Sequence, residues 1–299
     1  MTEHESSNPL VASPARMKQL LNKHNFSFKK SLGQNFLIDG NTLDRIVDVA
    51  GLTRRSGVLE IGPGAGSLTQ QLAQVAGKVV AIEIDQRLLP LLQETMLPYE
   101  HVEIVHGDVL KMDLSSIWAE YFHECDDVSV VANLPYYITT PILMALLEQR
   151  MHISKMVVMM QKEVSDRMTA NPGGKDYGSL SVAIQYHCEA RELLRVPRSV
   201  FMPPPNVDSA VLGLFVRDKP AVQVKSEPLF FEIVRASFAQ RRKTISNNLL
   251  QHYRNQYTRE QLTSILETAG IEANRRAETL SIDEFARLAD QFFYSLTSG

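Results

Sequence analysis

The sequence predicts an α/β domain built on a mostly parallel sheet, followed by a small all-helical domain. Three observations carry that expectation. Short apolar runs and amphipathic segments alternate in β-α-β-α order from Gly57 onward. The apolar runs, such as KVVAIEID, are continuous rather than alternating, as strands are when helices cover both faces of a sheet. Beyond the stretch RDKPAV only helical patterns remain. The expected division is a flexible tail over 1–28, an α/β domain over 29–218 and a helical domain over 219–299.

Taken in order, the first 28 residues are polar, with one helical turn expected near Met17–Asn22. KKSLGQNFLIDG follows as a compact segment. NTLDRIVDVA is a helix, with Leu43, Ile46, Val47 and Ala50 at helical spacing and Gly51 placed to end it. GVLEIG is a strand with a glycine-rich exit, SLTQQLAQVA a helix, KVVAIEID a strand, and RLLPLLQETM a helix. VEIVHGD, VSVVANLPYY and KMVVMMQ continue the strands, with LSSIWAEYF and PILMALLEQR as helices. NPGGKDYGSL is a loop, SLSVAIQYHCEARELLRV a helix and then a strand, and VFMPPPNVDSAVLGLFV a proline-rich turn entering a strand. In the helical part, Ser226 with Pro228, Thr258 with Gln261, and Ser281 with Glu284 are helix-start patterns.

Composition is that of an ordinary globular protein, with 299 residues, 44% hydrophobic and 22% charged. A net charge of -3 does not advertise a polyanion binder, so any such role must rest on local patches. The two cysteines, Cys125 and Cys188, make neither a disulfide framework nor a zinc site, and no metal is expected. No apolar run approaches the ~18 residues of a membrane span, and the N-terminus lacks a signal-peptide pattern. The expectation is a cytoplasmic monomer.

LEIGPGAGSLT joins a strand to a helix. Gly62, Gly64 and Gly66 leave main chain uncovered for close approach of a ligand. Their spacing is not that of a dinucleotide fingerprint, which aims a helix N-terminus at pyrophosphate. Glu83 ends the next strand, where an acid accepts from both ribose hydroxyls. Asp108 ends the third, where a carboxylate suits an adenine amine. Alone, the glycines read equally well as a tight turn and the acids as helix caps. Together, at one edge of a parallel sheet, they describe a site for adenosine with a zwitterionic tail, which is S-adenosylmethionine.

NLPYYITTPIL ends the fourth strand at the same edge. A flat polar group suits this turn. The exocyclic nitrogen of adenine is a poor nucleophile because its lone pair is delocalised. Hydrogen bonds to the Asn133 side-chain oxygen and the Pro135 carbonyl would localise it, and Tyr136 would stack on the base for ~1–3 kcal/mol. Phe201, in the stiff VFMPPPNVDSA segment, is the candidate for the opposite face. The alternatives are a turn-forming Asn133 and a core Phe201.

KSLGQNFL, LEIGPGAGSLT, NLPYYITTPIL, VFMPPPNVDSAV and SFAQRRKTISNNL together resemble the ribosomal RNA small-subunit adenine dimethyltransferases, the enzymes behind kasugamycin sensitivity. The resemblance runs from about Lys29 to near the C-terminus. It implies a seven-stranded, Rossmann-like methyltransferase sheet with a helical C-terminal domain. It implies four methyl transfers from S-adenosylmethionine to two adjacent adenosines in the hairpin loop near the 3′ end of 16S rRNA, in a partly assembled 30S subunit. It also implies cofactor contacts at Asn35, Leu37, Gly62, Glu83, Asp108 and Asn133.

Between Arg235 and Arg259 lie Arg241, Arg242, Lys243 and Arg254 and no acidic residue, a stretch suited to RNA phosphates or to a solvated helix face. Arg235, Arg241, Arg242 and Lys243 are the candidate RNA contacts, the last three on an expected QRRKT helix, with Lys29 and Lys30 adding charge near the site. The rivals are the large-subunit rRNA adenine methyltransferases of macrolide resistance, a binding-only assembly factor, and a dinucleotide-dependent oxidoreductase.

Overall fold

In the computed structural model, residues 9–29, 33–149 and 151–297 are described. Lys30 and the start of the KSLGQNFL motif lie outside them. The chain divides into two units, one of residues 1–165 and 191–216 and the other of 166–190 and 217–299. The second unit resumes at residue 217, beside the boundary expected near 218, and also takes in residues 166–190, which the sequence reading assigns to the α/β domain. The segment RDKPAV bonds back onto the C-terminal end of the helix Ser179–His187, through Arg217 N to His187 O and Ala221 N to Tyr186 O, both 2.9 Å.

The first unit opens with α1 (Pro14–Lys23), started by Ser13, whose side chain accepts from Arg16 N. The expected flexible tail is thus corrected for its described part. Val11, Met17, Leu20 and Leu21 are buried in one cluster with Leu88, Leu91 and Leu92, and Val11 N donates to Gln70 Oε1 at 2.8 Å. Three of those residues fall at helical spacing on one face, and covering them outweighs the polar composition around them.

β1 (Phe36–Leu37), α2 (Gly40–Ala50), β2 (Ser56–Ile61), α3 (Ser67–Val75), β3 (Lys78–Glu83), α4 (Leu89–Met96), β4 (Val102–His106), α5 (Leu114–Tyr121), β5 (Asp127–Asn133), α6 (Thr139–Glu148) and β6 (Lys155–Gln161) follow. α7 (Lys162–Thr169), α8 (Ser179–His187), β7 (Cys188–Val196), β8 (Phe201–Met202) and β9 (Ser209–Val216) complete the sequence up to the linker. α2 is capped as its sequence predicts, by Asp39 at the start and by Gly51 in the left-handed region at its end.

Seven strands form one sheet in the order β4-β3-β2-β5-β6-β9-β7. The β2–β3, β3–β4, β2–β5 and β5–β6 pairs are parallel, and β9 runs antiparallel to β6. The chain steps outward from β2 to β4 and then returns to place β5 on the other side of β2. Strand order reverses there, and a crevice opens beyond the carboxyl ends of β2 and β5. Ile61, Glu83, His106 and Asn133 end the four strands around it. β1 and β8 pair antiparallel as a separate two-stranded ribbon, Phe36 opposite Met202 and Leu37 opposite Phe201. Neither is long enough to show a period in the sequence.

The second unit holds α8, α9 (Glu227–Ser237), α10 (Ile245–His252), α11 (Arg259–Thr268) and α12 (Ile282–Thr297). Its core is aromatic, with Tyr186, Phe230, Tyr253, Phe285 and Phe292 in one buried cluster. Thr258 and Gln261 form the expected capping box. QRRKT is not helical, contrary to its sequence reading. It is the turn between α9 and α10, because Thr244 caps a new helix by accepting from Asn247 N. Buried Asn248 fixes the turn by donating to Ser237 O at 2.6 Å and Gln240 O at 3.1 Å.

Candidate active site

One cleft gathers the loops at the carboxyl ends of β2, β3, β4 and β5, with residues 33–37 across it. Of the predicted residues it brings together Asn35, Leu37, Gly62, Gly64, Glu83, Asp108, Asn133, Pro135 and Tyr136.

The glycine loop forms one wall. Gly62 has φ +70°, and a Cβ there would meet nothing within 4 Å, so its main chain faces open space. At Gly64 a Cβ would lie 2.9 Å from the Phe36 ring, so only glycine lets the loop close against that ring. Gly66 is not part of the lining and is corrected as a cofactor contact. It is the left-handed N-cap of α3, packed on Met96 and Leu92.

Glu83 is 4% exposed and fixed on both oxygens. Oε2 accepts from Gly64 N at 3.1 Å and Oε1 from Asp85 N at 2.7 Å. Burial pushes its carboxyl above the ordinary range against these hydrogen bonds. Each oxygen keeps a second lone pair for a ligand hydroxyl. Asp108 is half-buried, accepting from Leu110 N at 3.1 Å, with the Lys111 ammonium 3.4 Å from its other oxygen.

Three residues that the sequence reading missed complete this wall. Glu60, in the middle of the LEIG strand, is 1% exposed and lines the cleft. Burial pushes it up to about 8, opposed by the Thr69 hydroxyl and assisted by the Glu83 charge. Its Oε2 and the Ser67 hydroxyl, both buried, have no hydrogen-bond partner among the described residues. An acid inside an apolar strand of a parallel sheet was the available signal for Glu60. Ile84 is 51% exposed and offers the cleft an apolar face, for which an apolar residue directly after a strand-end acid was the only signal.

The opposite wall is the NLPYY turn. Asn133 Nδ2 donates to Asn35 O at 3.2 Å, and its Oδ1 accepts no hydrogen bond among the described residues. The Pro135 carbonyl is already taken, accepting from Ile138 N and from Thr139 Oγ1, both at 3.1 Å. Both lone pairs are spent on starting α6. The Leu134 carbonyl accepts no hydrogen bond among the described residues, and Leu134 lines the cleft. Tyr136 is half-buried with its hydroxyl 2.8 Å from Ser209 Oγ, an anchor that leaves the ring to line the cleft. Burial raises its phenol, with the Ser209 bond opposing. Tyr137 stands 60% exposed at the rim, its ring against Gly33.

Phe201 is corrected. It is 3% exposed, outside the cleft lining, and packed with Leu37, Leu43 and Val196. It pairs with Leu37 across the β1–β8 ribbon. In the second unit Arg235, Arg241, Arg242 and Lys243 are all exposed. The Arg241 guanidinium donates to the Lys175 carbonyl, which ties the basic turn to the NPGGKD loop.

The ribosomal RNA adenine dimethylase family matches this chain over residues 25–292. The ribosomal RNA small subunit methyltransferase A of Anoxybacillus flavithermus is 58% identical over 284 residues, covering 95% of this chain and 96% of the relative. That of Bacillus licheniformis is 56% identical over 285 residues, covering 95% and 98%. Among solved structures, a dimethyladenosine transferase from Plasmodium falciparum superposes with a TM-score of 0.72 at 27% identity, over 88% of this chain and 98% of that one. The 23S rRNA methyltransferase ErmE superposes with a TM-score of 0.64 at 29% identity, over 86% and 99%.

Proposed function

This chain belongs to the ribosomal RNA adenine dimethylase family, and we propose that it transfers methyl groups from S-adenosylmethionine to N6 of two adjacent adenosines in the 3′-terminal hairpin loop of 16S rRNA during small-subunit assembly. The observation that carries this is the Asn133 amide, oriented by the Asn35 carbonyl so that its oxygen points free at the strand end beside the glycine loop.

S-adenosylmethionine supplies a methyl group made electrophilic by its sulfonium. The residues present fit it. Glu60 Oε2 and Ser67 Oγ are buried polar atoms in want of partners beside the glycine loop, where the amino-acid tail belongs. The spare lone pairs of Glu83 take the ribose hydroxyls, Ile84 covers the base, and Asp108 accepts from its amine.

The target adenine enters from the other wall, out of any stack. Its amine donates to Asn133 Oδ1 and the Leu134 carbonyl, which favours a pyramidal nitrogen with its lone pair aimed at the methyl. After the first transfer one N–H remains and one acceptor suffices, so the same neutral pair serves the second. Tyr136 holds the ring by stacking. No strong base is placed there; in-line orientation carries the rate and the proton leaves later to water. The exposed side chains of Arg242 and Lys243, with Arg235 and Arg241, track RNA phosphates. The small-subunit substrate is preferred over 23S rRNA because the small-subunit relatives share far more of the sequence. A cytoplasmic location goes with that substrate.

The test is methyl transfer from radiolabelled S-adenosylmethionine to undermethylated 30S particles, followed by nucleoside analysis. Label in N6,N6-dimethyladenosine near the 16S 3′ end is expected. Label only in 23S rRNA, or cofactor binding without transfer, overturns the assignment. In the same assay, neutralising Arg241, Arg242 and Lys243 should weaken RNA binding and flatten its salt dependence by ~0.7–0.9 per lost phosphate contact. An unchanged slope makes the turn a solvated surface.

A further inference from the structure

Residues 33–37 cross the cleft in two unlike halves. Phe36 and Leu37 are held by main-chain pairing with Met202 and Phe201, and Ile38 N donates to Val200 O at 2.9 Å. The main chain of Gly33, Gln34 and Asn35 makes no such bond among the described residues. Side chains hold it instead. Asn133 reaches Asn35 O, Asn35 Nδ2 donates to Gly33 O at 3.1 Å, and the Tyr137 ring lies against Gly33.

The remaining tie runs to the cofactor wall. Gln34 Nε2 donates to Asp85 Oδ2 at 2.8 Å, and Gln34 Oε1 accepts from Lys29 N at 3.0 Å. Asp85 is buried and gripped by Arg87, whose Nε donates to Asp85 Oδ1 at 2.9 Å and whose second terminal nitrogen reaches Oδ2. Arg87 also donates to Ser27 O at 2.9 Å and lies 4.8 Å from the centre of the Phe26 ring. Asp85 is in turn tied by its own N–H to Glu83. A chain of hydrogen bonds therefore runs from residues 33–35, through Gln34 and Asp85, to the proposed ribose-binding acid.

We propose that Gln34, seated on the Asp85–Arg87 pair, is a positioning residue that latches residues 33–35 over the cofactor half of the cleft and sets how fast the bound nucleoside leaves. The inference rests on the cofactor reading above. Dimethylation of two adenosines consumes four methyl groups, so spent cofactor must leave and fresh cofactor enter repeatedly past these residues. A main-chain clasp would resist opening; side-chain ties, of which the Gln34 bond to a charged acceptor is the one reaching the cofactor wall, close the edge and can still break each cycle. Arg87 keeps Asp85 ionised, holding it down at about 2, so the acceptor persists across the working pH range.

The test is the release rate of S-adenosylhomocysteine from the full-length protein, followed by stopped-flow displacement. Gln34→Ala should speed release about tenfold, the worth of one hydrogen bond to a charged group, with RNA affinity unchanged. Gln34→Glu sets a carboxyl against Asp85, with Arg87 as the facing cation and Glu83 the next acid. Its release, taken as a ratio to wild type at each pH, should be fastest where the new carboxyl is ionised and fall toward one as acidification protonates it. The Gln34→Ala ratio should stay flat. Merely loosened packing would give no such difference in pH profile. Release within twofold of wild type in Gln34→Ala, or a flat ratio for Gln34→Glu, overturns the latch. Failure of wild type to bind S-adenosylhomocysteine at all overturns the cofactor reading and the latch with it.

Discussion

The two walls of the cleft are built from opposite chemistry. The wall at the ends of β2, β3 and β4 carries three carboxyl groups, Glu60 and Glu83 buried and Asp108 half-buried. The wall after β5 offers an amide, a free main-chain carbonyl and an aromatic ring, with no acid among its cleft-lining residues. Both stand at carboxyl ends of neighbouring strands in one sheet, so the fold does not impose the difference. Their proposed ligands do. A cationic, hydroxyl-rich cofactor wants ionisable acceptors. A neutral base that must be methylated twice wants acceptors that hold its N–H groups without a charge that must later be neutralised. On the proposed reading, the charged wall binds the cofactor and the neutral wall presents the reacting base.

The largest expected effect breaks the neutral wall. Asn133→Ala removes the oriented acceptor, and methyl transfer should fall by about 10²–10³-fold, as when one preorganised hydrogen-bonding group is lost from a reacting centre. Cofactor affinity should change by less than about tenfold, since hydrogen bonds to the charged wall persist. Normal turnover in that variant would remove the account of amine activation. A smaller effect separates ring from hydroxyl in Tyr136. Tyr136→Ala should lower kcat/KM for RNA by ~5–150-fold, matching ~1–3 kcal/mol of stacking. Tyr136→Phe loses only the Ser209 bond, for about 1 kcal/mol or roughly fivefold. Equal damage in both would shift the role from the face of the ring to the hydroxyl.

Residues that a strand end carries into the cleft were legible in the sequence. Glu83, Asp108 and Asn133 each close an apolar run, and a parallel sheet puts such ends on one edge. The sheet, its helices and the helical second part were legible for the same reason, as long runs with one period. What failed depended on contacts between distant segments. Phe201 was the candidate for the far face of the base with a core position as the alternative, and it is buried beside the two-residue pairing with Leu37. Pro135 seemed to offer its carbonyl, but the following helix start consumes it. The burial of Met17, Leu20 and Leu21 needs Leu88, Leu91 and Leu92, far along the chain, to be seen. Glu60 sits within its strand rather than closing it, so the strand-end pattern does not reach it.

The subtlest comparison concerns the proton on Glu60. Burial raises its pKa from an ordinary 4.5 to about 8, so the free protein holds it mostly protonated at neutral pH. An ammonium group bound beside it favours the carboxylate, so cofactor binding should expel a proton. Affinity should then rise with pH up to about 8, by at most about tenfold per unit, and level off above. The sign for stability is opposite. A folded value above the unfolded one means that the contribution of Glu60 is fully present below about 4.5 and is lost as pH rises through about 8. Glu83, raised by the same burial, adds in the same direction. The ligand-free protein should therefore melt lower at pH 8.5 than at pH 6, and saturating cofactor should shrink that gap. Calorimetry in buffers of different ionisation enthalpy would count the proton directly. Glu60→Gln, which mimics the protonated form, should abolish both the release and most of the pH dependence. A wild-type affinity flat from pH 6 to pH 8, with no proton released, would mean that no cation sits opposite Glu60 and that the charged wall reads the cofactor through Glu83 and Asp108 alone.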